Sequence, residues 1–322
     1  MRQLINAWKA LTQIPAFKQS IKLGVMVVTL GFLGWTLYDR WSELDDIDLR
    51  KLSIGWLIVS TGLTLLGHVC NGIAWGAALR ALGAKVSAPW SVRVYLQTNI
   101  AKYTPGKIWH FYGRILAGNK VGIGRGTIVV SILIESLQLA VVAAVLGMGL
   151  FVFRGQRLNP IHGLTLAVVA ALGVLALKPR VLNKGLSMLT HLRKADIPSE
   201  EAVGLRASLL PAYLATVAFV VIRGLGMHAG FLAFTPAPLD TFPTILGAFS
   251  LAWVIGFVVP GPPAGIGIFE SVMLLLIGDR FSQALVLAVV VVYRLTSTAA
   301  EALGAVLVSL PFAKVSGGNN KA

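Results

Sequence analysis

Two apolar stretches of this chain are broken by proline and glycine, and both breaks sit beside charged residues. The first runs Asn99-Ile-Ala-Lys102-Tyr-Thr-Pro105-Gly106-Lys107-Ile-Trp109-His110. The second runs Val258-Val259-Pro260-Gly261-Pro262-Pro263-Ala264-Gly265-Ile-Gly267-Ile-Phe-Glu270. The flanking sequence is apolar enough to lie in a membrane. A helix broken at bilayer depth frees backbone N–H and C=O groups that lipid cannot satisfy, so the break must be covered by protein or line a water-filled cavity. Two such breaks in one chain point to a binding site at the interface between two structural repeats.

Composition supports the membrane setting. Of 322 residues, 56% are hydrophobic and 13% charged, with a mean hydropathy of +0.77. Soluble domains carry about a quarter charged residues, so a soluble all-α core is excluded. The formal charge of +15 would suit nucleic acid in a soluble protein. Here the lysines and arginines cluster in loops between apolar segments, as the positive-inside rule requires. Nucleic acid is therefore not an expected partner, and anionic lipid head groups are. The single cysteine, Cys70, excludes a disulfide framework within the chain. The five histidines show no metal-ligand spacing, and no cofactor or metal is expected.

At roughly 20 apolar residues per crossing, the chain reads as an all-α integral membrane protein with six full spans and two re-entrant broken-helix hairpins. Residues 1–19 form an interfacial helix with Leu4, Ile5, Trp8 and Leu11 on one face. An uncleaved first span follows at 21–38, then an acidic loop. Repeat one covers 53–152: a span at 53–80 with Ser53 as N-cap, a re-entrant segment at 90–118, and a span at 127–152. A span and basic cytoplasmic connector occupy 161–206. Repeat two covers 207–311: a span at 207–233, a re-entrant segment at 241–278, and a span at 284–311. A polar tail, 312–322, ends the sequence. The lysine and arginine distribution places both termini in the cytoplasm. The first hairpin then dips from inside and the second from outside, which makes an inverted repeat.

The candidate site residues follow from this frame. Lys107, His110 and Arg114 share one helical face after Pro105-Gly106, where cations meet the free amides of a helix start. Together with Lys102 and Glu270 they form the expected head-group site. Asn99, Pro105, Gly106, Trp109, Pro260, Gly265 and Gly267 are expected to shape and gate the breaks. Four intramembrane charges, Glu135, Arg223, Arg294 and Glu301, each need a partner. Ser131 and Gln138 share a face with Glu135; Ser297 or Thr298 and Glu301 share one with Arg294. The expected pairings are Glu270 with Lys107 or Arg114, and Glu135 with Arg294. Thr64, His68, Asn71 and Trp75 form a polar stripe assigned to interhelical hydrogen bonding.

The motifs resemble those of the lysylphosphatidylglycerol synthase transmembrane family, a flippase-like membrane region. Asn99, Lys102, Tyr103, Pro105, Gly106, Lys107, Trp109, Gly113 and Arg114 follow its first pattern. Pro260, Pro262, Gly265, Gly267 and Glu270 follow its second, with Pro263-Ala264 where glycines are usual. Glu135 and Tyr293-Arg294 fall where the family tends to place an acid and an arginine. The resemblance implies movement of a phospholipid or lipid-linked precursor between leaflets of a bacterial or archaeal cytoplasmic membrane. It does not imply aminoacylation, because the sequence after Pro311 holds no transferase domain, and an enzyme is not expected. A membrane-embedded lipid-modifying transferase, with Glu135 or Glu270 as general base, is one alternative. A non-catalytic partner of a separate glycosyltransferase or synthase is another. A second copy of the chain is a further candidate partner.

Overall fold

A computed structural model describes residues 52–103, 108–153, 204–258 and 268–310. The expected interfacial helix, the spans at 21–38 and 161–177, the connector up to residue 203 and the tail 312–322 lie outside the described residues. So do Pro105, Gly106 and Lys107 of the first break and Pro260, Gly265 and Gly267 of the second.

The described residues are helical, with no strand among them. The elements are α1 (Ile54–Ala81), α2 (Ala88–Asn99), α3 (Trp109–Asn119), α4 (Arg125–Phe153), α5 (Leu210–Leu232), α6 (Phe242–Val258), α7 (Ile268–Ile277) and α8 (Gln283–Leu307). Two short 3₁₀ segments, Ile100–Tyr103 and Leu239–Thr241, precede the first break and α6. Five stretches are long and apolar enough to cross a membrane: Ile54–Ala81, Arg125–Leu150, Leu210–Leu232, Leu239–Gly256 and Gln283–Leu307.

The arms flanking the breaks are shorter. Helix α2 has 12 residues and α3 has 11, about 18 and 16 Å at 1.5 Å per residue. Neither length spans a hydrocarbon core of about 30 Å. The second break is less even. Helix α7 has 10 residues, whereas α6 has 17 and qualifies by length and composition as a crossing once its 3₁₀ lead-in is included.

Local chemistry sets several helix starts. Ser87 caps α2, its hydroxyl accepting from Trp90 N–H at 3.3 Å, with proline in the first turn. Ser282 caps α8 in the same way, accepting from Leu285 N–H at 3.3 Å. Both bonds satisfy an amide that a helix start leaves open. Ser53 stands at the start of α1, but its hydroxyl caps nothing. Its own N–H donates to the Ala233 carbonyl at 2.8 Å, tying the start of α1 to the end of α5.

Helices α1 and α5 form the most extensive packing pair, and the remaining contacts are arranged around them in a two-fold pattern. Exchange α1 with α5, α2 with α6, α3 with α7 and α4 with α8, and every packed pair maps onto another. Thus α1·α2 becomes α5·α6, α4·α6 becomes α8·α2, and α3·α4 becomes α7·α8. The two halves of the described chain therefore share one packing plan. Close approach depends on small residues, as is usual where no hydrophobic drive acts between helices in lipid. A Cβ at Gly72 on α1 would sit 2.8 Å from Val92 Cα on α2, and one at Gly147 on α4 would sit 3.2 Å from the Gly247 carbonyl on α6.

Polarity runs opposite to that of a soluble bundle. Ile58, Leu133, Leu214 and Leu275 face outward, while Ser60, Glu135, Arg223 and Glu270 are buried. The chain is a multi-pass helical membrane protein with a polar interior.

Candidate functional site

Buried charged residues face a cavity of about 480 Å³ to which all eight helices contribute. Helix α1 supplies His68 and Asn71, α2 Tyr95 and Asn99, and the 3₁₀ turn Lys102 and Tyr103. His110 and Arg114 come from α3, Glu135 from α4, Phe219 and Arg223 from α5, and Phe249 and Trp253 from α6. Phe269 of α7 and Tyr293, Arg294, Ser297 and Thr298 of α8 complete the wall.

Three cation–carboxylate pairs cross this interior. Arg114 Nη1 pairs with Glu135 Oε2, both side chains being buried. Asn71 Nδ2 donates to Glu135 Oε1 at 3.0 Å and to Tyr95 OH at 2.7 Å, and the Arg114 guanidinium lies 4.4 Å from the Tyr95 ring centre. In the other half, Arg294 Nε lies 2.9 Å from Glu270 Oε1, over the Phe269 ring at 5.6 Å. The third pair joins the halves: Lys102 Nζ donates to Glu301 Oε1 at 2.6 Å.

These pairs correct the expected ones for Arg114 and for Glu135 with Arg294; the alternative of Glu270 with Lys107 lies outside the described residues. Arg114 meets Glu135 rather than Glu270, and Arg294 meets Glu270 rather than Glu135. The reason is local packing. Each short arm lies on the long helix that follows it, α3 on α4 and α7 on α8, so ionised groups on arm and span meet within their own half. The charges are exchanged between the halves. In the first the arm carries the cation and the span the acid; in the second the arm carries the acid and the span the cation.

Arg223 differs from the other cations. Only 8% exposed, it touches no carboxylate among the described residues. Its Nε–H donates to Tyr293 OH at 2.8 Å, and that hydroxyl donates back to the Arg223 carbonyl at 3.1 Å. Its Nη1 lies 3.1 Å from His68 Nε2. The rings of Tyr293, Phe219 and Phe249 surround it at 5.4, 5.8 and 5.9 Å. His68 Nε2 also lies 3.1 Å from Glu301 Oε1, so the histidine bridges Arg223 and the pair that joins the halves.

Of the expected head-group residues, Lys102, His110 and Arg114 line the cavity and Glu270 contacts a residue that does; Lys107 lies outside the described residues. Asn99 also lines it, while Trp109 is partly exposed and stacks edge-on with Tyr112 at 6.2 Å. The polar stripe on α1 divides. Trp75 Nε1 donates to Ser131 Oγ at 3.0 Å, an interhelical bond, whereas His68 and Asn71 face the cavity. The aromatic wall, Tyr95, Phe219 and Phe249, is not visible in the sequence pattern, because aromatic residues at helical spacing read as ordinary core. Tyr293 is visible there only beside Arg294. No group of three histidine, cysteine or acidic side chains capable of holding a metal occurs among the described residues.

No curated protein matches the chain. The family model of the lysylphosphatidylglycerol synthase TM region matches residues 21–304, from the first expected span to the last turn of α8, and the chain belongs to that family.

Proposed function

We propose that this protein is a lipid flippase-like transporter that moves a phosphate-bearing lipid between leaflets, rather than an enzyme. The observation that carries the reading is the cavity itself: about 480 Å³ of space lined by aromatic and apolar side chains among which charged groups are set, walled by both halves of a two-fold packing plan. A space of that size suits a head group and leaves no room for acyl chains, which would stay in lipid. Ionised groups at membrane depth are costly and mark ligand pathways more often than packing.

The repeats are read as inverted, with α2–α3 and α6–α7 as hairpins that dip from opposite faces. Arg80, Lys85, Arg93, Lys120 and Arg125 flank the first half on the face that the positive-inside rule makes cytoplasmic, and the cytoplasmic membrane is the proposed location. In this mechanism Lys102–Glu301 is the latch between halves. An anionic head group held in the cavity loosens this latch and shifts the balance between conformers in proportion to its preference for one of them. Arg114–Glu135 and Arg294–Glu270 hold each arm on its own span and move with it.

The test is transfer of a fluorescent phospholipid in proteoliposomes, read by quenching of the outer leaflet. The wild-type protein is expected to speed transfer, and Lys102→Met and Glu301→Gln to abolish it while both variants remain folded. No acceleration by the wild-type protein rejects the transport reading. Unchanged transfer in both variants rejects the latch.

A further inference from the structure

Resting on that reading, we infer that the lipid's phosphate is bound at Arg223, with Asn99 as its second donor, and not at the residues of the first break. Three cavity cations, Lys102, Arg114 and Arg294, already contact carboxylates. A phosphate at any of them must displace an intramolecular partner. Arg223 contacts no carboxylate among the described residues, so no acid has to leave it. Its direct contacts among the described residues are a phenol, an imidazole nitrogen and three ring faces, with the Glu301 carboxylate beyond the imidazole. An arginine side chain stays ionised in proteins and presents five N–H donors in a rigid fork suited to phosphate. Tyr293 holds Nε, Nη1 points to His68, and the fork forms part of the cavity wall.

Asn99 provides an independent sign of a ligand. It is 5% exposed, it lines the same cavity, and its Nδ2 donor meets no acceptor among the described residues. A buried donor left unbonded costs about 1–3 kcal/mol, and a phosphate oxygen would satisfy it. A guanidinium fork and an amide donor thus line one cavity, and we assign them together to the phosphate. The aromatic rings about Arg223 lower the local dielectric and strengthen the interaction.

One chemistry here has two sources, a lipid-borne phosphate and free phosphate, and the test separates them. Binding to the purified protein is measured by calorimetry with dihexanoylphosphatidic acid, inorganic phosphate and dihexanoylglycerol. Phosphatidic acid is expected to bind more tightly than inorganic phosphate, and dihexanoylglycerol not to bind measurably. Arg223→Met is expected to weaken phosphatidic acid by about 10- to 100-fold, the worth of a charged hydrogen bond, with Arg223→Lys recovering part of the loss. Asn99→Ala is expected to weaken it by about 3- to 10-fold. A diazirine on the head group of a phosphatidic acid ester, photolysed in the wild-type protein, is expected to label peptides of α5 and α8; this measurement decides the matter if Arg223→Met does not fold.

Unchanged affinity in folded Arg223→Met overturns the assignment, as does labelling that avoids α5 and α8. Inorganic phosphate matching phosphatidic acid overturns the lipid source. Transfer assays read the transport reading separately: transfer that persists with Arg223-independent binding sinks this inference alone, and Arg223-dependent binding without any transfer sinks the transport reading alone.

Discussion

Replacing Arg114 with methionine is expected to destabilise the protein by about 3–5 kcal/mol, the cost of leaving one member of a buried ion pair without its partner. The magnitude follows from the surroundings. Side chains of Arg114 and Glu135 are 2% and 8% exposed, so the carboxylate left behind is largely cut off from bulk water. After substitution Glu135 keeps only the Asn71 amide, at 3.0 Å. Glu135→Gln alone is expected to cost less, about 1.5–3 kcal/mol, because the amide oxygen still accepts from Arg114 and the Tyr95 ring still faces the guanidinium at 4.4 Å. The double variant Arg114→Met/Glu135→Gln buries no charge at the pair and is expected to be no less stable than Arg114→Met, with a coupling energy of about 2–3 kcal/mol. Reversible unfolding in bicelles, followed by steric trapping, measures all three. Strict additivity would refute the pairing, because two groups in contact cannot act as independent sites.

Further substitutions probe the packing and the arginine's setting. Gly72→Ala is expected to cost about 1–3 kcal/mol, since the new methyl would meet the Val92 backbone at 2.8 Å; thermal unfolding in detergent reads it. Tyr293→Phe removes the hydroxyl that both accepts from and donates to Arg223, and a loss of about 1–3 kcal/mol in the same assay is expected. Trp75→Phe leaves Ser131 without the indole donor, which lies 3.0 Å away, at a cost of about 1 kcal/mol, with no change in lipid transfer.

How much of this was legible beforehand depends on the kind of question. Apolar run length locates α1, α4, α5 and α8, because a bilayer demands about 20 residues whatever the tertiary fold. Spacing places Ser131, Glu135 and Gln138 on one face, and all three are buried. Spacing cannot say what that face meets. Arg114 and Glu135 lie 21 residues apart on neighbouring helices, and only the packing of α3 on α4 makes them partners. The same limit applies to His68 and Asn71, whose stripe matches packing and cavity lining equally. Helix α6 exposes another: a break gives the position of a turn but not the length of its arms. Lys102 reaches Glu301 across 199 positions, a contact that the repeat architecture alone brings about.

The imidazole between Arg223 and Glu301 carries one more implication. Its Nε2 is equally near a group that only gives hydrogens and a group that only takes them. A single ring atom cannot answer both: bare, it serves the guanidinium, and bearing hydrogen, it serves the carboxylate. Whatever draws the arginine away lets the ring turn its allegiance, and the lysine on Glu301 then competes with a new donor. A guest at Arg223 would thus be felt at Glu301 through the relocation of one hydrogen, before any segment of backbone has to shift.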